Sequence, residues 1–342
     1  MLKKAALSLF LTVFTLLALN GLTALGERLA YGAFWVDGRP DGLYHHQSGS
    51  RPQLRPGAIL NGWLYQISIN AFGFRGPAPK APFSDNRVRV WCIGGSTTFD
   101  IYAPTDSQTW PAQLQAVLQS KHPDKVIEVI NAGIPGEIYE GSLSDIQRHA
   151  QSLQPDWVVM YHGPNDLREV LSLNHRSEGA APPSILEQGD FALFRVLKRN
   201  LQQKRLIPAS WSTHHFSRSH RDELERRINN FLRGIQPLQI KPILATHAFR
   251  AGPDDTGAEA QRNVGEAVLL FQQSPENSIE SLDGYNQLVK DTAERYGIPL
   301  ADVRSAVPSD AQYWGDATHF KAPGSLLAAQ QIAETMSPLL SK

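Results

Sequence analysis

The chain has one cysteine, Cys92, and no net charge, with 33 Lys and Arg balanced by 33 Asp and Glu over 342 residues. A lone cysteine excludes an internal disulfide, a zinc ribbon and a dithiol redox pair. Balanced charge, with no basic run interleaved with aromatics, leaves no electrostatic footprint for nucleic acid. The histidine pairs His45-His46 and His214-His215 have no carboxylate at ligand spacing, so no metal is expected, and no cofactor is called for.

Long uncharged runs are also scarce, which makes the exception conspicuous. Lys3 and Lys4 precede Ala5 to Leu25, a stretch of 21 residues without a charge. About 20 apolar residues span a bilayer as a helix, whereas a signal-peptide core runs to roughly 7–15. Residues 1–26 therefore read as an uncleaved anchor. The alternatives are a signal peptide cut near Ala24-Leu25-Gly26 and, third, a buried helix; Asn20 and Gly21 weaken the far end of the stretch. In both leading readings the positive end stays inside and the remainder is exported. The expected address is the inner membrane, single-pass, with a periplasmic bulk; the alternative is secretion after cleavage.

Residues 27–86 are punctuated by Gly38, Pro40, Gly42, Gly49, Pro52, Pro56, Gly57 and Gly62 and read as an arm leading away from the membrane. From residue 87 the texture changes. Short apolar runs at Val88–Ile93, Val126–Ile130, Trp157–Tyr161, Pro242–Thr246 and Ile298–Val303 suit strands buried on both faces. Helical stripes lie between them. One holds Trp110, Leu114, Val117 and Leu118, and another Leu143, Ile146, Ala150 and Leu153. A third runs from Leu224 to Ile235 and a fourth from Tyr285 to Tyr296, with a last helix starting near Pro323. Alternation of this kind predicts a doubly wound α/β domain over 87–342. Two polar stretches, near 170–215 and 251–276, read as insertions.

Four short segments carry the chemistry. Ser96 follows the first strand in Gly94-Gly95-Ser96-Thr97, Gly133 follows the second in Asn131-Ala132-Gly133, and Asn165 follows the third in Gly163-Pro164-Asn165-Asp166. Asp316 and His319 precede the last helix. In a parallel sheet the carboxyl ends of the strands share one edge, where ligands bind, so these segments converge. A serine hydroxyl needs a base, an imidazole serves near neutral pH, and a carboxylate three residues away can hold its other nitrogen. The Ser96 amide, the Gly133 amide and the Asn165 side chain are candidate donors to an oxyanion. Among the neighbours, Asp166 reads as a turn cap, Arg168 as solvated, His247 as packed or at the surface, and Cys92 as a buried small hydrophobe.

These segments resemble the four blocks of the SGNH hydrolases, the GDSL-type esterases and lipases. The resemblance covers roughly residues 87–336. It implies a flavodoxin-like, three-layer α/β/α fold on a five-stranded parallel sheet. It assigns Ser96, Asp316 and His319 to the catalytic triad, and Ser96, Gly133 and Asn165 to the oxyanion hole, with no cofactor. The first block departs from the family name, with Gly95 where Gly-Asp-Ser-Leu has aspartate. The segment Asn70-Ala71-Phe72-Gly73-Phe74-Arg75-Gly76 also resembles an element upstream of the first block in some bacterial members, without a role attached to it. The other serine-hydrolase signature, Gly-x-Ser-x-Gly, is not met, because residue 98 is Thr.

The expected activity is ester hydrolysis through an acyl-enzyme. The exported address points to a cell-envelope or extracellular ester, such as an O-acetylated glycan. Two rivals stand beside it: an O-acyltransferase on a polysaccharide, and a non-catalytic glycan-binding part of an assembly.

Overall fold

The computed structural model describes residues 2–33, 35–36, 39–45, 51, 53–80, 86–173, 193, 215–252, 255–271 and 273–341. Most of the 170–215 stretch, together with His46 and His214, lies outside the described residues.

An N-terminal helix α1 (Leu2–Tyr31) is followed by two small antiparallel pairs, β1 (Trp35–Val36) with β2 (Arg39–Pro40) and β3 (Ile59–Asn61) with β4 (Gln66–Ser68). The body then alternates: β5 (Arg87–Gly94), α2 (Ser96–Phe99), α3 (Trp110–Lys121), β6 (Val126–Gly133), α4 (Tyr139–Leu153), β7 (Trp157–Tyr161) and α5 (Pro164–Leu173). It continues with α6 (Arg218–Ile235), β8 (Lys241–Ala245), α7 (Gly257–Phe271), α8 (Pro275–Tyr296), β9 (Leu300–Ala301), α9 (Val303–Ala306) and α10 (Ala322–Leu340).

The five body strands are all parallel, in the order β6-β5-β7-β8-β9. This is the flavodoxin-like 2-1-3-4-5 order, whose ligand crevice opens at the carboxyl edge between the first and third strands. Both faces are covered, which is why the strands are near-continuous apolar runs. On β5, Val90 and Cys92 pack with Leu114, Leu118, Ala329 and Ile332 from α3 and α10. Trp91 and Ile93 point the other way, into a core shared with α4, α5, α6, α7 and α8.

Two features add to the sequence reading. The polar stretch 251–276, read as an insertion, contains α7, whose Ala260, Val264 and Phe271 are buried in that second core, so it packs into the body. Its apolar residues are spaced as a stripe among Gln, Asn and Glu, and composition hid them. The segment read as an arm leading away also packs along the body: Leu54, Leu60, Ile67 and Ile69 form a third core with Phe99 and Ile134.

α1 carries the one helix among the described residues long and apolar enough to cross a membrane, over Ser8–Tyr31, with mean hydropathy 1.9 and none of it buried. Asn20 and Gly21 do not interrupt it.

Candidate active site

β5 delivers Ser96 as the first residue of the short helix α2, and β7 delivers Asn165 in the first turn of α5. Because β5 and β7 are neighbours, with Gly94 in register with Tyr161, the two residues straddle the switch point. The loop before α10 brings His319 to Ser96.

His319 Nε2 lies 2.7 Å from Ser96 Oγ. Its Nδ1 faces both Asp316 oxygens at 2.8 Å. A carboxylate can only accept, so Nδ1 carries the imidazole proton and Nε2 is left to accept from the serine hydroxyl. Asp316 Oδ1 also accepts the backbone N–H groups of Thr318 and His319, each at 2.9 Å. The three-residue spacing closes the loop around the carboxylate in this way. Burial pushes the Asp316 carboxyl upward, but the facing His319 and these hydrogen bonds outweigh it and hold it at about 2. It is therefore ionised at any working pH. The Tyr102 ring abuts the imidazole edge-on, with centroids 6.0 Å apart.

Asn165 Nδ2 donates to Glu137 O at 3.0 Å and sits directly over Gly95. A small cavity of about 80 Å³ opens between Ser96, His319, Asn165, Glu137, His162 and Thr318.

Gly133 departs from expectation. Its amide donates to Asn131 Oδ1 at 3.1 Å, and its α-carbon lies against the backbone of α2. The sequence placed it at the strand end correctly, but the strand runs up to that residue and the loop only begins beyond it. The glycine on the loop itself is Gly136 (φ 87°), the third residue of a turn closed by Glu137 N–H to Ile134 O at 2.9 Å. Gly136 is exposed, and its amide meets no hydrogen-bond acceptor among the described residues.

The neighbouring polar residues are committed elsewhere. Asp166 is fully buried; it accepts Tyr139 N–H at the start of α4 and faces His162 Nδ1, both at 3.0 Å. His162 Nε2 is in turn 3.0 Å from Ser142 Oγ. Arg168 is exposed. His247 is fully buried and stacked on Tyr161, with neither ring nitrogen partnered among the described residues; burial pushes it down to about 3. Cys92 is buried, and burial pushes its thiol well up. Among the described residues no cluster of three or more His, Cys, Asp or Glu could hold a metal.

Sequence reasoning assigned no role to Arg75, which the structure places behind the short helix α2. Its buried guanidinium donates to Phe99 O (3.0 Å), Asp100 O (2.8 Å) and Ala103 O (2.9 Å), and to Asp106 Oδ1 at 2.9 Å. Phe99 and Asp100 are the last residue and the C-cap of α2, so the arginine holds the orphan carbonyls of the helix that begins with Ser96. Asp106 is itself fixed by Ser68 N–H and Oγ, at 3.0 and 2.6 Å. Asn70 Oδ1 shapes the turn before the arginine by accepting from Phe72 and Phe74 N–H. The Asn70–Gly76 segment was the signal for this role. Asp100, beside it, accepts from Trp110 N–H and Ser325 Oγ, and burial pushes its carboxyl up to about 6.

The model of the GDSL-like lipase/acylhydrolase family matches residues 92–326. No curated protein matches the chain. Solved structures that resemble it include an alpha/beta hydrolase enzyme from the metagenome of Lake Arreo, Spain. That structure is 18% identical, with 74% of this chain and 96% of that one covered and a TM-score of 0.46. An acetylxylan esterase from Geobacillus stearothermophilus is 18% identical over 73% of this chain and 94% of that one, at 0.44. A putative lipolytic protein of the G-D-S-L family from Desulfitobacterium hafniense is 14% identical over 72% and 99%, at 0.42.

Proposed function

Because the chain belongs to the GDSL-like lipase/acylhydrolase family and is a serine ester hydrolase, we propose that Ser96 is its nucleophile, His319 its base and Asp316 the partner of that base. The observation that carries this reading is the unbroken chain of contacts from Ser96 Oγ through His319 Nε2 and Nδ1 to Asp316. Ser96 Oγ attacks the ester carbonyl carbon as Nε2 takes its proton. The C–O bond to the alcohol then breaks, and the departing oxygen receives that proton from the imidazolium. Water, deprotonated by His319, cleaves the acyl-enzyme to the acid and restores Ser96.

The carbonyl oxygen gains charge between the Ser96 amide, which no bond within α2 consumes, and Asn165 Nδ2. The third donor is the open amide of Gly136 in place of Gly133, whose amide is engaged by Asn131. A space of about 80 Å³ is far below the roughly 300–1,000 Å³ of pockets for larger ligands, which favours a short acyl group such as acetyl.

α1 is read as an uncleaved anchor with Lys3 and Lys4 on the cytoplasmic side and residues 87–342 as a periplasmic catalytic domain. A short acyl group and a cell-envelope address together favour an O-acetylated glycan as substrate. Labelling by a fluorophosphonate, followed by a screen of acetyl, butyryl and longer esters, tests the proposal. Ser96→Ala should abolish labelling and turnover while the melting curve stays in place, and acetyl esters should lead the series. Labelling that persists in Ser96→Ala refutes the nucleophile. A preference for long chains refutes the short-acyl reading. Acetyl transfer to an added glycan in place of release to water would reassign the acceptor.

A further inference from the structure

The last turn of α1 and the turn of the β3–β4 hairpin form one unit. Trp63 N–H donates to Leu29 O at 2.8 Å and Leu64 N–H to Ala30 O at 3.0 Å. Gly62 lies against the backbone of Ala30 and Gly32, leaving no room for a side chain. Tyr65 stacks on Tyr31 with ring centroids 5.4 Å apart. The hairpin is thus clamped to the end of the apolar helix and does not hang from it by a tether.

Its two sides have different partners. Leu60 and Ile67 are buried with Phe99 and Ile134. Ile59, Trp63 and Leu64 are 72%, 82% and 57% exposed. Scattered exposed apolar residues are ordinary on a protein surface. These are set apart by position. The uncharged stretch Ala5–Leu25 is 21 residues long, so as a helix it rises ~31 Å, about the thickness of the hydrocarbon core. Glu27 and Arg28 then fall at the polar boundary, and Leu29–Tyr31, with the hairpin turn fixed to them, lie in the headgroup layer. Tryptophan and tyrosine favour that layer, where the ring is half wet and half apolar.

We propose that the β3–β4 turn sits in the headgroup–acyl boundary of the bilayer that α1 enters, with Trp63 and Leu64 as interfacial anchors beside the Tyr31–Tyr65 pair. The proposal rests on reading α1 as a retained membrane helix. The same hairpin packs through Leu60 and Ile67 against the last residue of α2 and the loop after β6. It therefore sets the height and tilt of the Ser96 cavity over the membrane, and an ester must arrive within that fixed range.

The test uses the full chain in vesicles of phosphatidylethanolamine and phosphatidylglycerol. An environment-sensitive fluorophore is placed on a single cysteine in Leu64→Cys, Leu17→Cys or Gln151→Cys; buried Cys92 does not compete. Gln151 is exposed near the end of α4 and serves as the aqueous control. The Leu64 probe should be quenched by shallow lipid spin labels and show several-fold less iodide quenching than the Gln151 probe. Adding Trp63→Ser should raise its iodide access. The Leu17 probe should answer only to deep lipid labels. A Leu64 probe as open to iodide as Gln151, with Leu17 still shielded, overturns the hairpin proposal and leaves the anchor standing. Iodide access at Leu17 as well overturns both.

Discussion

Asn165 Nδ2 occupies the space that a β-carbon on residue 95 would need. The amide cannot swing away freely, because it is held on Glu137 O at 3.0 Å. This contact explains why glycine precedes the serine here, and it ties the first block to the third.

Gly95→Ala should therefore act as an oxyanion-hole mutation without touching the triad. We expect kcat to fall on the order of 10²–10³-fold with little change in KM or melting temperature, as for the loss of one donor. Asn165→Ala should do the same. The double variant should be no worse than Asn165→Ala alone, since both remove one interaction. Fully additive losses in the steady-state kinetics would show that Gly95 matters for another reason.

The acid limb of kcat/KM should report protonation of His319 in the free enzyme. Asp316 is held at about 2 chiefly by the charge of His319 set against burial, and by reciprocity its negative charge favours the imidazolium. Asp316→Asn removes that charge, so the imidazolium becomes harder to form and the acid limb should move to lower pH. Turnover should drop by roughly 10⁴ as the tautomer is lost. A pH–rate profile on a neutral ester checks both. An unmoved limb with near-normal turnover would separate Asp316 from the histidine.

Stability should carry a slope set by His247. Burial depresses it to about 3 in the folded chain, against about 6.5 when unfolded. Between those values the unfolded chain binds the extra proton, so this contribution to stability is lost as pH falls from about 6.5 towards 3. Asp100, raised to about 6, has the opposite sign over part of that window. The difference between wild type and His247→Phe isolates the histidine. The variant, which keeps an aromatic ring on Tyr161, should unfold at a similar denaturant concentration near pH 8 and be the more stable of the two near pH 4.5. Parallel stability curves would contradict the assignment.

Arg75 should behave as a positioning residue. Arg75→Ala removes the donors to the C-terminal carbonyls of α2, and we expect kcat to fall on the order of 10²-fold from misplacement of Ser96, with KM little changed. Lysine cannot replace the planar fork and should rescue poorly. Millimolar guanidinium should restore part of the activity and of the fluorophosphonate labelling rate in Arg75→Ala. Asp106→Asn, a milder change, should show a smaller loss in the same parameter. No rescue, together with loss of activity that tracks only the folded fraction, would reduce Arg75 to a structural prop.

The local patterns settled the layered α/β body, because strands buried on both faces must be continuously apolar and covering helices must carry one apolar stripe. The convergence of Ser96 and Asn165 was legible for a related reason: in a parallel sheet, strand ends share an edge whatever their separation in sequence, whereas Asp316 and His319 sit in the loop before α10, and only the fold brings them to Ser96. Tertiary structure decided what depends on contacts between distant segments. α7 hid its buried residues in a polar composition. Arg75 meets the end of α2 only through carbonyls 24 to 28 residues away. The hairpin clamped to α1 is of the same kind. The backbone hydrogen bonds from Trp63 to Leu29 and from Leu64 to Ala30 leave no trace in residue type, since every non-proline residue carries the same donor and acceptor and only the fold chooses which pair meets.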